Sequence, residues 1–207
     1  LIPFFAQKSN IALELKTKTN NIQNLENLKH NRRTIISWSL NGTDASRKEE
    51  LKTSTIEERI LAAQQCQAWG YPIAFHFDPM LFFPNWKEDY NRTFELLKKH
   101  IYGDIAWISI GSLRLNQGLK NTIQSRFSKN SLLLDGELFP EYDGKLRYLR
   151  PVRIQMYRFM QEKIKETWSD KIPYYLCMEP PEVWQNSFGW TPNSDNNLDH
   201  ILQSKLF

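Results

Sequence analysis

The alternation of short apolar runs with longer amphipathic runs is the feature that most constrains the fold. The short runs are rich in strand-forming residues, and the longer ones repeat apolar residues every three or four positions, as helices do. The predicted strands occupy residues 11–16, 34–40, 71–77, 105–110, 131–134 and 174–178, and the predicted helices occupy residues 21–31, 55–70, 86–101, 119–127 and 152–168. Strands separated by helices of this length need crossover connections, so the sheet is expected to be parallel.

An open doubly wound sheet and a closed barrel both show this βα alternation. No glycine-rich phosphate loop follows any predicted strand, which removes the usual dinucleotide-binding signature. Polar residues instead follow successive strands, where a βα barrel places its chemistry. The sequence therefore predicts an α/β fold, with a partial parallel (β/α) barrel over residues 1–190 and a polar tail over residues 191–207. Because the chain begins without Met, we expect a fragment or a processed product.

Charge and cysteine content narrow the functional classes only slightly. Twenty-seven Lys and Arg against 23 Asp and Glu give a net charge of +4 and a pI near 9.0. This surplus would assist binding to a polyanion, but an ordinary solvated surface is the commoner explanation. The two cysteines belong to no CxxC pair, so neither a zinc site nor a disulfide framework is predicted. No apolar run is long enough for a membrane span, and a reducing, cytoplasmic setting is expected.

Polar side chains stand at the ends of several predicted strands. They are Lys18, the alternating set Ser37, Ser39 and Asn41, the pair His76 and Asp78, and the pair Cys177 and Glu179. The period of two in a strand sends the alternating set to one side. Such a row suits a ribose, a carboxylate or another polar ligand. The alternative, that these groups satisfy neighbouring backbone, stays open at this point.

His76 and Asp78 share a strand face, so they could bind a metal or serve in acid–base chemistry. With Glu179 they would suggest a metal-dependent βα-barrel hydrolase. One His with one Asp is only half a metal site, and a hydrogen-bonded structural histidine is the commoner outcome, so no metal ligand is assigned. Cys177 is a candidate hydrogen-atom or proton donor, whereas Cys66 lies on an apolar helix stripe and is expected in the core.

A second cluster combines cations with an aromatic ring. Arg147, Tyr148, Arg150 and Arg153 could hold phosphates while the tyrosine stacks on a base. This reading makes a non-catalytic nucleic-acid-binding remnant a further candidate function. The alternative is that these cations pair with nearby acidic residues around a helix start.

Taken in order, the motifs resemble the spore photoproduct lyase-like radical S-adenosylmethionine proteins. The motifs that carry the resemblance are Thr17-Lys18, residues 33–41, residues 57–60, residues 70–72, His76-Phe77-Asp78-Pro79, Trp86, residues 107–114, Asp143-Gly144-Lys145, Arg150-Pro151, residues 175–179 and residues 182–184. No single motif is specific, but the set covers nearly the whole chain.

The resemblance implies a partial barrel whose N-terminal strands are missing from this chain. In such a barrel a 4Fe-4S cluster reduces S-adenosylmethionine, which gives a 5′-deoxyadenosyl radical. In the lyase itself the radical starts reversal of a thymine dimer in DNA. Lys18, Ser39, Asn41 and His76 would then bind S-adenosylmethionine, and Arg147, Tyr148 and Arg150 would bind the substrate. One departure is large: the Cys-x3-Cys-x2-Cys cluster loop of the family does not occur in this sequence. The isolated chain is therefore expected to be inactive.

Overall fold

A parallel sheet forms the centre of the computed structural model, which describes residues 1–103, 105–127, 131–168 and 172–192 together with Leu198 and Leu202. The sheet has five parallel strands in the order β1-β2-β3-β4-β8. These strands are β1 (Leu13–Thr17), β2 (Thr34–Ser39), β3 (Ile73–Met80), β4 (Ile105–Ser112) and β8 (Tyr174–Leu176). A small antiparallel sheet contains β5 (Arg114–Leu115), β6 (Phe139–Pro140) and β7 (Leu146–Arg147).

Helices connect the strands of the main sheet. They are α1 (Ile2–Phe5), α2 (Thr43–Glu49), α3 (Ile56–Ala68), α4 (Trp86–His100), α5 (Gln117–Arg126), α6 (Arg150–Trp168) and α7 (Pro181–Phe188), with 3₁₀ turns at Gln23–Leu25 and Leu132–Leu134. Within the part of the chain described, no helix is long and apolar enough to cross a bilayer.

Strand order distinguishes the two α/β arrangements. Each strand of the main sheet pairs with its successor, and the order never reverses as it does in a doubly wound sheet. A progression in one direction is the arrangement of a (β/α) barrel. The predicted fold class is therefore confirmed.

The two faces of the sheet differ in their covering. Phe75, Phe77 and Ile108 belong to the main core, which also contains buried residues from α3, α4 and α6. The opposite face carries a smaller apolar cluster around Ala74 and Trp107. Leu198 packs against the main core and Leu202 against the smaller cluster. Most of the predicted tail lies outside the described residues, so its separation from the barrel stays a prediction.

Helix α3 begins and ends where its sequence predicts. The Thr55 hydroxyl accepts from the Glu58 backbone N–H, and the Glu58 carboxylate accepts from the Thr55 backbone N–H, which completes a capping box. Gly70 follows the helix at φ +88°, a conformation that residues with a side chain rarely adopt.

Three local predictions are wrong. Residues 131–134 form a 3₁₀ turn and not a strand, because Glu49 accepts from the Ser131 hydroxyl and the Leu132 N–H. Residues 21–31 contain only the 3₁₀ turn Gln23–Leu25 and no longer helix. No helix or strand is predicted between residues 40 and 55, but Thr43–Glu49 forms helix α2.

The N-terminus of helix α2 is capped by a side chain of α4. Asp89, which is 1% exposed, accepts from the Asp44 and Ala45 backbone N–H groups and from the Thr43 hydroxyl. A carboxylate at a helix N-terminus satisfies unpaired donors and complements the helix dipole. A Cβ at Gly42 would lie 2.1 Å from Asp89 Oδ2, so glycine is required for this approach. The cap comes from a distant part of the sequence, and no local pattern reveals it.

Candidate functional site at the rim of the sheet

The carboxyl-terminal ends of β1 and β2 meet around the carboxylate of Glu50. Lys18 Nζ lies 2.6 Å from Glu50 Oε1, and Arg59 Nη1 lies 2.7 Å from Glu50 Oε2. The Asn41 amide also donates to Glu50, at 3.4 Å. Lys18 and Asn41, which sequence reasoning placed in one pocket, therefore share one carboxylate that it did not identify.

The amide of Asn41 is engaged on both of its ends. Its oxygen accepts from the Tyr90 hydroxyl and the Gly42 N–H, and its nitrogen donates to the Pro79 carbonyl as well as to Glu50. Asn41 is 3% exposed. This arrangement ties the end of β2 to α4, so a ligand-binding role for Asn41 stays a prediction that the geometry disfavours.

The ion pair between Lys18 and Glu50 affects the pKa of both residues. Burial would raise the pKa of Glu50, but Lys18 and Arg59 outweigh it and hold that pKa below the usual 4.5. Burial lowers the pKa of Lys18 below 10.5, and pairing with Glu50 offsets only part of this effect. The side chain of Lys18 remains 35% exposed, so part of it can be reached from solvent at the rim.

His76 lies one strand further along the same rim and is the register partner of Ser39. His76 Nε2 lies 2.6 Å from Glu14 Oε1. Burial raises the pKa of Glu14, but the hydrogen bonds to His76 and Ser37 and the nearby positive charges together outweigh it and lower that pKa. Ser37 is fully buried, and its hydroxyl has no hydrogen bond of standard geometry to any described residue. Ser37 thus interacts with Glu14 in a geometry looser than a standard hydrogen bond, and its hydroxyl keeps capacity to bond a polar ligand atom.

The structure does not bring the proposed metal ligands together. His76 pairs with Glu14, Asp78 pairs with Arg114, and Glu179 accepts from the Tyr157 hydroxyl at 2.6 Å. Among the residues that the structure describes, no group of three His, Cys, Asp or Glu side chains is arranged to hold a metal. The metal-dependent hydrolase hypothesis is wrong for this part of the chain, because each candidate ligand already has a different partner.

Cys177 lies at the end of β8 beside an ion pair. Arg114 Nη2 is 2.9 and 3.0 Å from the two oxygens of Asp78, and it lies 3.7 Å from Cys177 Sγ. Gly111 makes room for this pair, since a Cβ there would lie 2.7 Å from Asp78 Oδ1. Burial raises the pKa of the Cys177 thiol, and Asp78 raises it further, whereas Arg114 lowers it. The thiol is therefore held in its protonated form at neutral pH.

Replacing Arg114 by alanine should raise the pKa of Cys177, because the cation that favours the thiolate is removed. The pH midpoint of alkylation by iodoacetamide, measured in a Cys66→Ser background, should move to higher pH. Asp78→Asn should move it to lower pH, which makes this variant the matched control. Midpoints that move in the same direction in both variants would contradict the proposed electrostatics.

The predicted substrate-binding cations are mostly engaged in ion pairs. Arg147 is 5% exposed and pairs with Asp143 at 2.6 Å. The Tyr148 ring is 2% exposed, and its hydroxyl accepts from the Phe82 N–H, so no face of the ring is open for base stacking. Arg150 pairs with Glu182 but keeps a 44% exposed side chain. Roles of Arg147 and Tyr148 in substrate binding stay predictions that this packing disfavours.

Sequence reasoning missed Glu50, Arg59, Glu14 and Arg114. Arg59 could have been found, because it follows Ile56 by three residues and precedes Ala63 by four, on the buried face of α3. A cation on such a face needs a partner. Glu14, Glu50 and Arg114 pair with residues more than thirty positions away or lie outside regular helix and strand patterns. Their spacing in the sequence therefore does not indicate a functional role.

A parallel sheet with successive strand order and a polar carboxyl-terminal rim places the chain among the (β/α)-barrel proteins. The family model described as spore photoproduct lyase matches residues 1–176. The chain belongs to the spore photoproduct lyase family.

Individual relatives agree with this assignment. The spore photoproduct lyase of Clostridium acetobutylicum is 32% identical over 178 residues, covering 84% of this chain and 51% of that protein. The Bacillus subtilis spore photoproduct lyase is 30% identical over 139 residues, covering 66% of this chain and 41% of that protein. The chain thus spans about half or less of the length of these relatives.

Solved structures show the same fold. A spore photoproduct lyase complexed with dinucleoside spore photoproduct matches with a TM-score of 0.74 at 22% identity, over 85% of this chain and 54% of that chain. A mutant lyase with bound AdoMet and dinucleoside spore photoproduct matches with the same score and coverage.

Proposed function

We propose that this chain forms part of the barrel of a radical S-adenosylmethionine lyase that repairs DNA, as the spore photoproduct lyases do. The observation that carries the proposal is the convergence of Lys18, Ser37, Ser39 and His76 on one rim of three adjacent parallel strands, in a chain whose family match spans residues 1–176. The related lyase structures contain AdoMet and a dinucleoside lesion, which supports a nucleotide substrate for this chain as well.

The rim residues fit S-adenosylmethionine. Lys18 offers a partly exposed ammonium for a carboxylate, and Ser37 offers a buried hydroxyl without a standard partner. Ser39 and His76 lie beside each other on β2 and β3, within the same row. When bound, the cofactor supplies the radical chemistry, while these side chains orient it.

The residues of this chain do not fit a 4Fe-4S cluster. A cluster needs several thiolates, whereas the sequence has two cysteines. Cys66 is 0% exposed, and burial raises its pKa to about 12. We therefore assign no cluster ligand here, and the lyase activity of the chain requires thiolates from elsewhere.

Cys177 is our candidate hydrogen donor. It lies at the rim, and its raised pKa keeps the thiol protonated, as donation of a hydrogen atom requires. We propose a cytoplasmic setting, which the two free cysteines support. For the DNA substrate, Arg150 keeps the exposure that a phosphate contact needs.

The proposal is tested by titrating S-adenosylmethionine into the 207-residue chain and measuring heat. Lys18→Ala should weaken binding by roughly tenfold or more, since a charge-assisted hydrogen bond is lost. Lys98→Ala is the matched control, because Lys98 is an exposed lysine in the last turn of α4, away from the rim, and its loss should leave the affinity nearly unchanged. No saturable binding to the unmodified chain would reject the proposed function.

A further inference from the structure

We propose that buried Arg59 acts as a positioning residue, because it neutralises the charge of Glu50. The positive charge of the Lys18 ammonium at the end of β1 is then left without compensation. The rim would thereby select the carboxylate of its ligand without direct contact from Arg59. The inference rests on the proposed function, because the ligand it names is S-adenosylmethionine.

The charges of this group do not cancel. Lys18 and Arg59 carry one positive charge each and Glu50 carries one negative charge, so the three ionised side chains sum to +1. The side chains that hydrogen-bond to Glu50 besides these two, Asn41 and Ser46, are neutral. A net charge in a partly dehydrated site attracts an anion more strongly than the same charge in water.

The surrounding ionisable groups do not remove this surplus. Lys16, on the same strand, adds positive charge near Lys18. Lys52 lines the cavity beside Lys18 and adds another cation. Glu58 lines the same cavity with one negative charge, which the charge of Lys52 offsets.

Arg59 is fixed where it cannot reach a ligand. Its side chain is 0% exposed, and its guanidinium donates to the Ser54 and Ser39 carbonyls and to the Ser46 and Thr53 hydroxyls. The planar fork of an arginine can serve this many acceptors at once. Arg59 therefore neutralises Glu50 from inside, while Glu50 holds the ammonium of Lys18 from the other side.

A cavity of about 490 Å³ opens beside Lys18 and has the chemistry of a carboxylate site. Its walls are rich in hydroxyl groups and contain two lysines, and they are formed by Thr17, Lys18, Thr19, Lys52, Thr53, Ser54 and Glu58. Ammonium and hydroxyl donors bind a carboxylate. The Thr53 and Ser54 hydroxyls already donate to the Glu50 carbonyl and to Asn20 Oδ1, so Lys18, Lys52, Thr17 and Thr19 are the donors for a ligand. Without Arg59, Glu50 would neutralise Lys18, and the attraction for an anion would weaken.

Charge-changing variants separate this role from simple packing. The summed charge of Lys18, Arg59 and Glu50 is +1 in the unmodified chain. Arg59→Met makes this sum zero, Glu50→Gln makes it +2, and the double variant returns it to +1. Arg59→Met should weaken S-adenosylmethionine binding roughly ten- to a hundredfold, and the double variant should recover most of this loss. Binding of decarboxylated S-adenosylmethionine, which keeps the sulfonium and the ammonium but lacks the carboxylate, should not weaken in Arg59→Met. A double variant no better than Arg59→Met would overturn the inference.

Folding is checked in each variant by circular dichroism and thermal unfolding. If Arg59→Met does not fold, the test compares Glu50→Gln with the double variant. The double variant should then bind S-adenosylmethionine roughly ten- to a hundredfold more weakly than Glu50→Gln. Equal affinities in that pair would also overturn the inference.

A ligand-free measurement separates failure of the inference from failure of the proposed function. NMR titration of the Lys18 ammonium should show a raised pKa in Arg59→Met and a lowered one in Glu50→Gln, since Arg59 repels and Glu50 attracts the proton-bearing form. If these shifts occur but the unmodified chain binds no S-adenosylmethionine, the charge arrangement stands and the proposed function falls. If the unmodified chain binds and Arg59→Met binds equally well, the inference alone falls.

Discussion

Replacing Arg153 by alanine is expected to destabilise the folded chain by about 3–5 kcal/mol, because the change leaves buried carboxylates without their cation. Arg153 is 1% exposed, and it lies 3.2 Å from Glu179 and 3.1 Å from Glu141. It also donates to the Tyr148 carbonyl, which joins α6 to the small antiparallel sheet. Glu179 is itself almost fully buried, and burial raises its pKa above the usual 4.5.

Arg150→Ala provides the matched control on the same helix. Its side chain is 44% exposed, and an exposed ion pair contributes only about 0–1 kcal/mol. Urea denaturation, followed by circular dichroism, measures both variants. Equal losses of stability would show that burial does not determine how much each arginine contributes to the free energy of folding. The interpretation of this cluster as structural would then be wrong.

This contrast also bears on the nucleic-acid-binding remnant. A protein that bound DNA through the whole arginine cluster would need several exposed cations, and each would contribute to the salt dependence of binding. Arg147 and Arg153 are buried and paired. Only Arg150 of the named arginines keeps substantial exposure, so the cluster mainly connects the small sheet to α6.

The elements of the fold followed from periodicity, because strands and helices are stabilised by the faces that they bury. The long helix α6 and the buried strand β4 were placed to within two residues of their observed bounds. Where prediction failed, the deciding contact was remote: Asp89 starts α2, and Glu49 organises the turn at Leu132–Leu134. A propensity computed over neighbouring residues contains no information about such caps.

The rim of the site was predictable for a different reason. Parallel strands place their carboxyl ends at one edge, so Lys18, Ser39, Asn41 and His76 had to lie near one another once the strands were located. Their partners were not predictable. Whether the Asn41 amide faces a ligand or accepts a hydrogen bond from Tyr90 depends on how α4 packs on the sheet. The sequence pattern does not specify this packing.

Trp38→Ala is expected to cost about 3–5 kcal/mol of folding free energy, as large-to-small changes of buried aromatic residues do. Trp38 is 0% exposed in the main core, between Thr17 of β1 and Phe75 of β3, and its indole N–H donates to the Thr19 carbonyl at 3.0 Å. The alanine variant loses both the packing and this hydrogen bond. Denaturant unfolding measures the loss.

Trp38→Phe separates the two contributions, because phenylalanine keeps most of the apolar volume but has no donor. We expect it to cost about 1–2 kcal/mol and to leave the chain folded. Since the Thr19 carbonyl follows Lys18 directly, losing its hydrogen bond should loosen the end of β1, and amide exchange at Thr19 should accelerate. An alanine variant no less stable than the phenylalanine variant would show that packing around Trp38 does not stabilise the rim.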